Sequence, residues 1–296
     1  MTDRIKELCA FLDASHSQYH ARAYLEDILL RQGYAPLAEG DHWDLVPGGK
    51  YYVTRGGSAL MAFRIPQNSP RGFLISAAHT DRPAFKLKEN GELEGTYPRL
   101  AVERYGGQIL APWLDRPLSI AGRVLVETPQ GAESRLLDID RDLLLIPNVA
   151  IHMNRQANDG YKWNPVTDVL PLLASPENKG KFGKLLEQEA GGKILSHDLF
   201  LYIRQKAAVW GLDESFLSSA ALDDLECVWG CFRGFLNAKE SGSIPLFAAL
   251  DSEEVGSCST QGAASTFLKQ TIRRICAGLG LEEDRLLSQS FLVSAD

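Results

Sequence analysis

The chain has no run of lysines and arginines, no apolar stretch of membrane-spanning length and no paired cysteine spacing. Each absence excludes something. Without a basic stripe, and with a formal net charge of −7 at pH 7, there is no electrostatic footprint for nucleic acid and no polybasic patch for a membrane surface. A helix crossing a bilayer needs roughly 18 or more consecutive apolar residues, and none is found. The opening MTDRIKELCAFLDAS is charged and amphipathic and lacks the apolar core of a secretion signal, so a cytoplasmic location is expected. The five cysteines, at 9, 227, 231, 258 and 276, are odd in number and follow neither a disulfide nor a zinc-finger pattern. They read as reduced thiols, with Cys227 and Cys231 as buried small apolar groups on one helix face. Internal repeats and low-complexity tracts are missing too.

What remains is an ordinary globular composition, 45% hydrophobic and 23% charged, over 296 residues, a length that suits two domains or one domain with a large insertion. In the first 35 residues Ile5, Leu8 and Leu12, then Leu25, Ile28 and Leu29, recur three or four apart, which predicts two amphipathic helices closed by Gly33. From Trp43 short β-type runs follow (YYVTR, ALMAFRI, GFLISAA), separated by Gly and Pro turns. Between about 85 and 205 further β-type runs, SIAGRVLVET and KILSHDLFLYI, flank a polar stretch around NDGYKWNPVTD and read as a β-rich insertion. Beyond it, DDLECVWGCFRGFLNA predicts a helix, IPLFAALDS a buried strand and STQGAASTFLKQTIRRICAGLGL another helix, restoring α/β alternation.

Several of these elements end in metal-binding chemistry. GFLISAAHTD carries an apolar strand into His79 and Asp81, and strand carboxyl ends open on the crevice where α/β proteins bind ligands. An imidazole there can take a metal while a neighbouring carboxylate fixes the ring, although a structural histidine at a strand end is the plainer reading of that triplet alone. LFAALDSEEVGS repeats the design with Glu253 and Glu254, which point apart, so that one can ligate a metal while the other reaches a water; a solvated acidic turn is the alternative. Of Asp223 and Asp224, before a helical pattern, one suits an N-cap, and the other could bridge two ions about 3.5–4 Å apart. SFLVSAD runs a last apolar strand into Asp296.

These segments, with FLDASHSQYHA, GGKYYVTRGGSALMAF, SAAHTDRPAFKLK, YGGQILAPWLDRPLSIAGRV and IPNVAIHMNRQAND, closely resemble the M18 aspartyl aminopeptidase family of metallopeptidases over nearly the whole chain. The resemblance implies a mixed-sheet α/β zinc-aminopeptidase catalytic domain from residues 1–87 and 207–296, interrupted by a β-rich dimerisation domain at 88–206. It implies two Zn²⁺ ions, with His79, Asp223, Glu254 and Asp296 as metal ligands. By the same resemblance Asp223 would bridge the ions, Asp81 would orient His79 and Glu253 would be the general base. It implies peptide substrates with acidic N-terminal residues, dimers assembled into a dodecamer, and His152 reaching into the neighbouring subunit's site. Without the resemblance His152 reads as a buried strand histidine.

The family pattern continues past SFLVSAD through a His-rich segment to a final histidine ligand, so this chain is expected to be truncated and to lack that ligand. Smaller departures are Asp224, where the family usually has Asn, and Cys258, where an acid is common. A catalytically inactive homologue, serving as an assembly subunit, is the competing expectation. A thiol hydrolase built on Cys258 has no paired histidine to support it.

Overall fold

The computed structural model describes residues 2–296, which form two compact units: 2–82 with Ala207–Asp296, and Pro83–Lys206. The first unit opens with helices α1 (Asp3–Ala14) and α2 (Gln18–Arg31), then strands β1 (Ala35–Leu37), β2 (Lys50–Arg55), β3 (Ala59–Arg64) and β4 (Phe73–His79). Ser17 caps α2 by accepting the backbone N–H of His20. The β1 strand, only three residues long, carries no periodic signal in the sequence.

The second unit holds β5 (Ala84–Leu93), β6 (Arg99–Tyr105), β7 (Leu118–Thr128), β8 (Gly131–Asp138), helix α3 (Phe182–Ala190) and β9 (Ile194–Ile203). Its five strands form one sheet in the order β6-β5-β9-β7-β8, antiparallel at every pairing. Gly122 lets β7 pass close to β9: a Cβ there would meet the Asp198 carbonyl oxygen at 2.0 Å. Helix α3 was not expected from the sequence; Phe182, Leu186 and Ala190, four apart, are its buried stripe, and Gly191 closes it in the left-handed conformation.

The chain returns to the first unit through a short ribbon, β10 (Ala208–Trp210) and β11 (Phe216–Ser218). It continues into α4 (Leu225–Asn237), β12 (Ile244–Leu250), α5 (Phe267–Leu279), α6 (Glu283–Leu287) and β13 (Phe291–Ser294). The six-stranded sheet runs β1-β2-β3-β12-β4-β13; β12, β4 and β13 are parallel to one another, while β3 is antiparallel to β12. Residues alternate between two cores. Leu60, Ala62, Phe247 and Ala249 pack against α1, α2 and α4, whereas Met61, Phe63, Leu246 and Ala248 pack against α5 and α6. Burial on both faces explains why β3 and β12 read as continuous apolar runs.

Three details differ from expectation. The last long helix begins at Phe267 rather than near Ser259, because residues 257–265 fold back in turns in which Ser257 accepts from Ala264 and Ser259 from Gly262. Strand β13 lies at the sheet edge with all four residues exposed. Cys227 and Cys231 are half-buried, since they sit at the margin of the α4 core, and Cys258 is exposed. Among the described residues no helix is long and apolar enough to cross a membrane.

Candidate metal centre

Because β12, β4 and β13 are parallel, their carboxyl ends emerge at one edge of the sheet, where a ligand crevice is expected. Strand β4 delivers His79, which is 5% exposed, and its backbone N–H donates to Asp224 Oδ2 at 3.0 Å. On the ring, Nδ1 lies 3.1 Å from the Asp81 carbonyl oxygen and 3.2 Å from Asp81 Oδ1. Asp81 is fully buried, and its two carboxylate oxygens accept the backbone N–H groups of Glu253 and Glu254, each at 3.2 Å. One carboxylate therefore ties the histidine to the turn that follows β12. That turn, Glu253–Val255, is bracketed by Ser252 at φ 66° and Gly256 at φ 96°.

With Nδ1 engaged by Asp81, the other ring nitrogen, Nε2, is buried and has no hydrogen-bond partner among the described residues. Around it stand Asp223 Oδ1 at 3.6 Å, Asp296 Oδ1 at 3.7 Å, and Asp224 Oδ2 and Glu253 Oε2 at 4.0 Å. His79, Asp223 and Asp296 offer ligand atoms that all lie within 4.8 Å of one another. These separations are too long for hydrogen bonds. They match ligands converging on a shared ion, since two atoms each about 2.1 Å from a tetrahedral zinc stand roughly 3.4 Å apart. As a bare lone pair Nε2 faces carboxylates; as N–H it lacks an acceptor within reach. A divalent cation resolves both, so the residues present fit a metal.

The electrostatics agree. Burial disfavours the His79 imidazolium, but the hydrogen bond and charge of Asp81, with the charges of Asp224 and Glu253, push its pKa up to about 9. Burial, then the charges of Asp223 and Asp81, push Glu254 up to about 7. Burial also raises Asp224, against hydrogen bonds from Cys227 and from the His79 N–H. Carboxylates crowded until one cannot ionise normally mark a site short of positive charge.

Six residues singled out in the sequence thus stand together: His79, Asp81, Asp223, Glu253, Glu254 and Asp296. The seventh, His152, belongs to the other unit, where it is exposed in a turn rather than buried in a strand. Asp224 is the residue whose role the sequence left open, as one of two aspartates of which either could cap the helix. It occupies the N-cap position of α4, yet its side chain makes no capping bond. It accepts from His79 instead, and the only sequence hint was a second aspartate where one would have capped the helix.

A family model described as aminopeptidase I zinc metalloprotease (M18) matches residues 11–296. A probable M18 family aminopeptidase 2 of Clostridium acetobutylicum is 40% identical over 307 residues, covering 98% of this chain and 71% of that protein. Among solved structures, the complex of Ape4 and Nbr1 contains a chain that is 33% identical at a TM-score of 0.93, covering 99% of this chain and 63% of that one. The S. cerevesiae mApe1 dodecamer aligns at a TM-score of 0.83 with 24% identity, covering 98% of this chain and 70% of that one, and speaks for the fold. The chain thus spans between 63% and 71% of the length of these three relatives.

Proposed function

The chain belongs to the M18 family of aminopeptidase I zinc metalloproteases, and from that premise we propose that it removes N-terminal residues, preferentially Asp or Glu, from peptides at a two-zinc centre. The observation that carries this reading is the buried, unpartnered Nε2 of His79 ringed by carboxylates. In the proposed centre His79, Asp223, Glu254 and Asp296 would hold the ions; His79, Asp223 and Asp296 already offer ligand atoms within 4.8 Å of one another. Bound there, zinc would supply Lewis acidity toward a carbonyl oxygen and toward water.

The rest is done by the chain itself. Glu253, half exposed and 4.0 Å from His79 Nε2, takes a proton from the attacking water and returns it to the leaving amine. Asp81 keeps the His79 ring in one orientation through Nδ1 and holds Glu253 and Glu254 through their N–H groups. The preference for acidic side chains rests on the family resemblance. So do the dimerisation role of residues 88–206 and the reach of His152 into a neighbouring subunit's site, whereas the proposed cytoplasmic location rests on the sequence's charge and hydropathy. Assembly of dimers into a dodecamer likewise rests on the family resemblance; the S. cerevesiae mApe1 relative is itself a dodecamer.

The test is hydrolysis by the purified chain of peptides beginning with Asp, Glu or Leu, with Zn²⁺ added and a chelator control. The expected result is chelator-sensitive release of Asp and Glu ahead of Leu. A folded chain that releases none of them overturns the proposal and leaves the non-catalytic assembly subunit.

A further inference from the structure

Strands β3 and β12 pair antiparallel with Leu60 opposite Ala249, and two more residues along that ladder bring Ser58 opposite Asp251. Both are buried, at 0% and 4% exposure. The Ser58 hydroxyl donates a short hydrogen bond to Asp251 Oδ2, and Asp251 Oδ1 accepts the backbone N–H of Ser252 at 2.6 Å. Ser252 holds a left-handed φ of 66°, which a non-glycine residue keeps only when its surroundings enforce it. Its carbonyl accepts the N–H of Ser257 at 2.7 Å, and its hydroxyl accepts from the Ser259 hydroxyl at 2.7 Å. The next two residues are Glu253 and Glu254.

We propose that Asp251, locked by Ser58, is a positioning residue that anchors the Glu253–Glu254 turn to the sheet and so sets where both glutamates stand at the metal centre. Two buried carboxylates then divide the work on one turn. Asp81 couples it to His79 through the N–H groups of Glu253 and Glu254. Asp251 couples it to the end of β3 through Ser252 and Ser58. Neither Ser58 nor Asp251 has to touch a metal or a substrate. Catalytic groups need placement within roughly 0.5 Å, and about 1 Å of misplacement can cost on the order of 100-fold in rate. Releasing Ser252 from its left-handed conformation would move both glutamates together.

The assignment deepens the metal-centre reading and rests on it. Its test is the set Ser58→Ala, Asp251→Asn and the double variant, with Zn²⁺ kinetics on an Asp-peptide, Co²⁺ affinity and visible absorption, and a crystal structure of Ser58→Ala. Ser58→Ala removes a single oxygen and is the variant expected to fold. It should lower kcat by about 10- to 100-fold with KM within about twofold, and shift the Co²⁺ absorption because Glu254 shares the turn. In the Asp251→Asn background the same change should add less than about twofold, since Ser58 acts only through Asp251. The crystal structure should show the Glu253–Val255 turn displaced. Unchanged kinetics and absorption, losses that multiply in the double variant, or a turn that stays in place would each overturn the assignment. If the wild-type chain hydrolyses nothing, the aminopeptidase reading fails, while the crystal structure and the Co²⁺ spectrum still decide this one.

Discussion

Two partly buried charge clusters, one in each unit, are built from strand residues and come to opposite ends. On β9, Asp198 accepts from Lys86 Nζ at 2.9 Å and from Arg123 at 2.6 Å, and Arg123 is its cross-strand partner on β7. Burial works against that carboxylate, yet the two cations win and hold its pKa below the ordinary carboxylate range. At the ends of β4, β12 and β13 the ratio is reversed: one imidazole faces Asp81, Asp223, Asp224, Glu253 and Asp296. There a buried nitrogen is left without a partner and Glu254 is forced up to about 7. A cluster whose carboxylate is fully paired by cations holds strands together. One that is short of positive charge, where the parallel strands of a mixed sheet end, is a candidate site.

The comparison breaks first at His79. Replacing it with Ala removes the one buried nitrogen at the centre, and the expected outcome is loss of chelator-sensitive hydrolysis to below about 0.1% of wild type, with weakened Zn²⁺ binding by calorimetry. Retained Zn²⁺ affinity would mean that the carboxylates alone hold the ions and that the orphaned nitrogen misleads. Glu253→Gln sharpens the point by separating chemistry from metal binding. It keeps the size and the backbone N–H to Asp81 but removes the base, so kcat should fall about 10²- to 10⁴-fold while Zn²⁺ affinity stays within about threefold. A parallel fall in metal affinity would make Glu253 a ligand instead.

How much of this was legible in the sequence differs between the two clusters for a physical reason. His79, Glu253, Glu254 and Asp296 sit where apolar runs stop, and a buried strand ending abruptly in acids or histidine is a local pattern that the sequence displays. The contribution of Asp224 is not local: its partner is the N–H of a residue 145 positions away, so its helix-capping position gave the more obvious account. Ser58 is hidden in the same manner, lying 193 positions from Asp251 and becoming its neighbour only through the β3–β12 register. Helix α3 was lost because nine residues give too short a stripe to stand out from flanking loops. Asp198 offered no cue, since KILSHDLFLYI reads as a strand whether or not its aspartate meets Lys86 and Arg123.

The smallest effect belongs to the closed cluster, and it tests whether that cluster is structural only. Asp198→Asn should lower stability by about 1–2 kcal/mol in urea unfolding at pH 7, a figure discounted because the carboxylate is 29% exposed, while Asp-peptide hydrolysis stays within about twofold. The sign of its pH dependence follows from the depressed pKa. A carboxylate held low in the folded chain contributes all its stability above the unfolded pKa of about 4 and loses it as pH falls through the lower folded value. The gap between wild type and Asp198→Asn should therefore be constant from pH 8 to about pH 5 and close on further acidification. A gap that persists unchanged to pH 2 would show that the aspartate acts by shape and hydrogen bonding rather than charge, and the contrast between a carboxylate paired by cations and a cluster short of them would then lose its paired half.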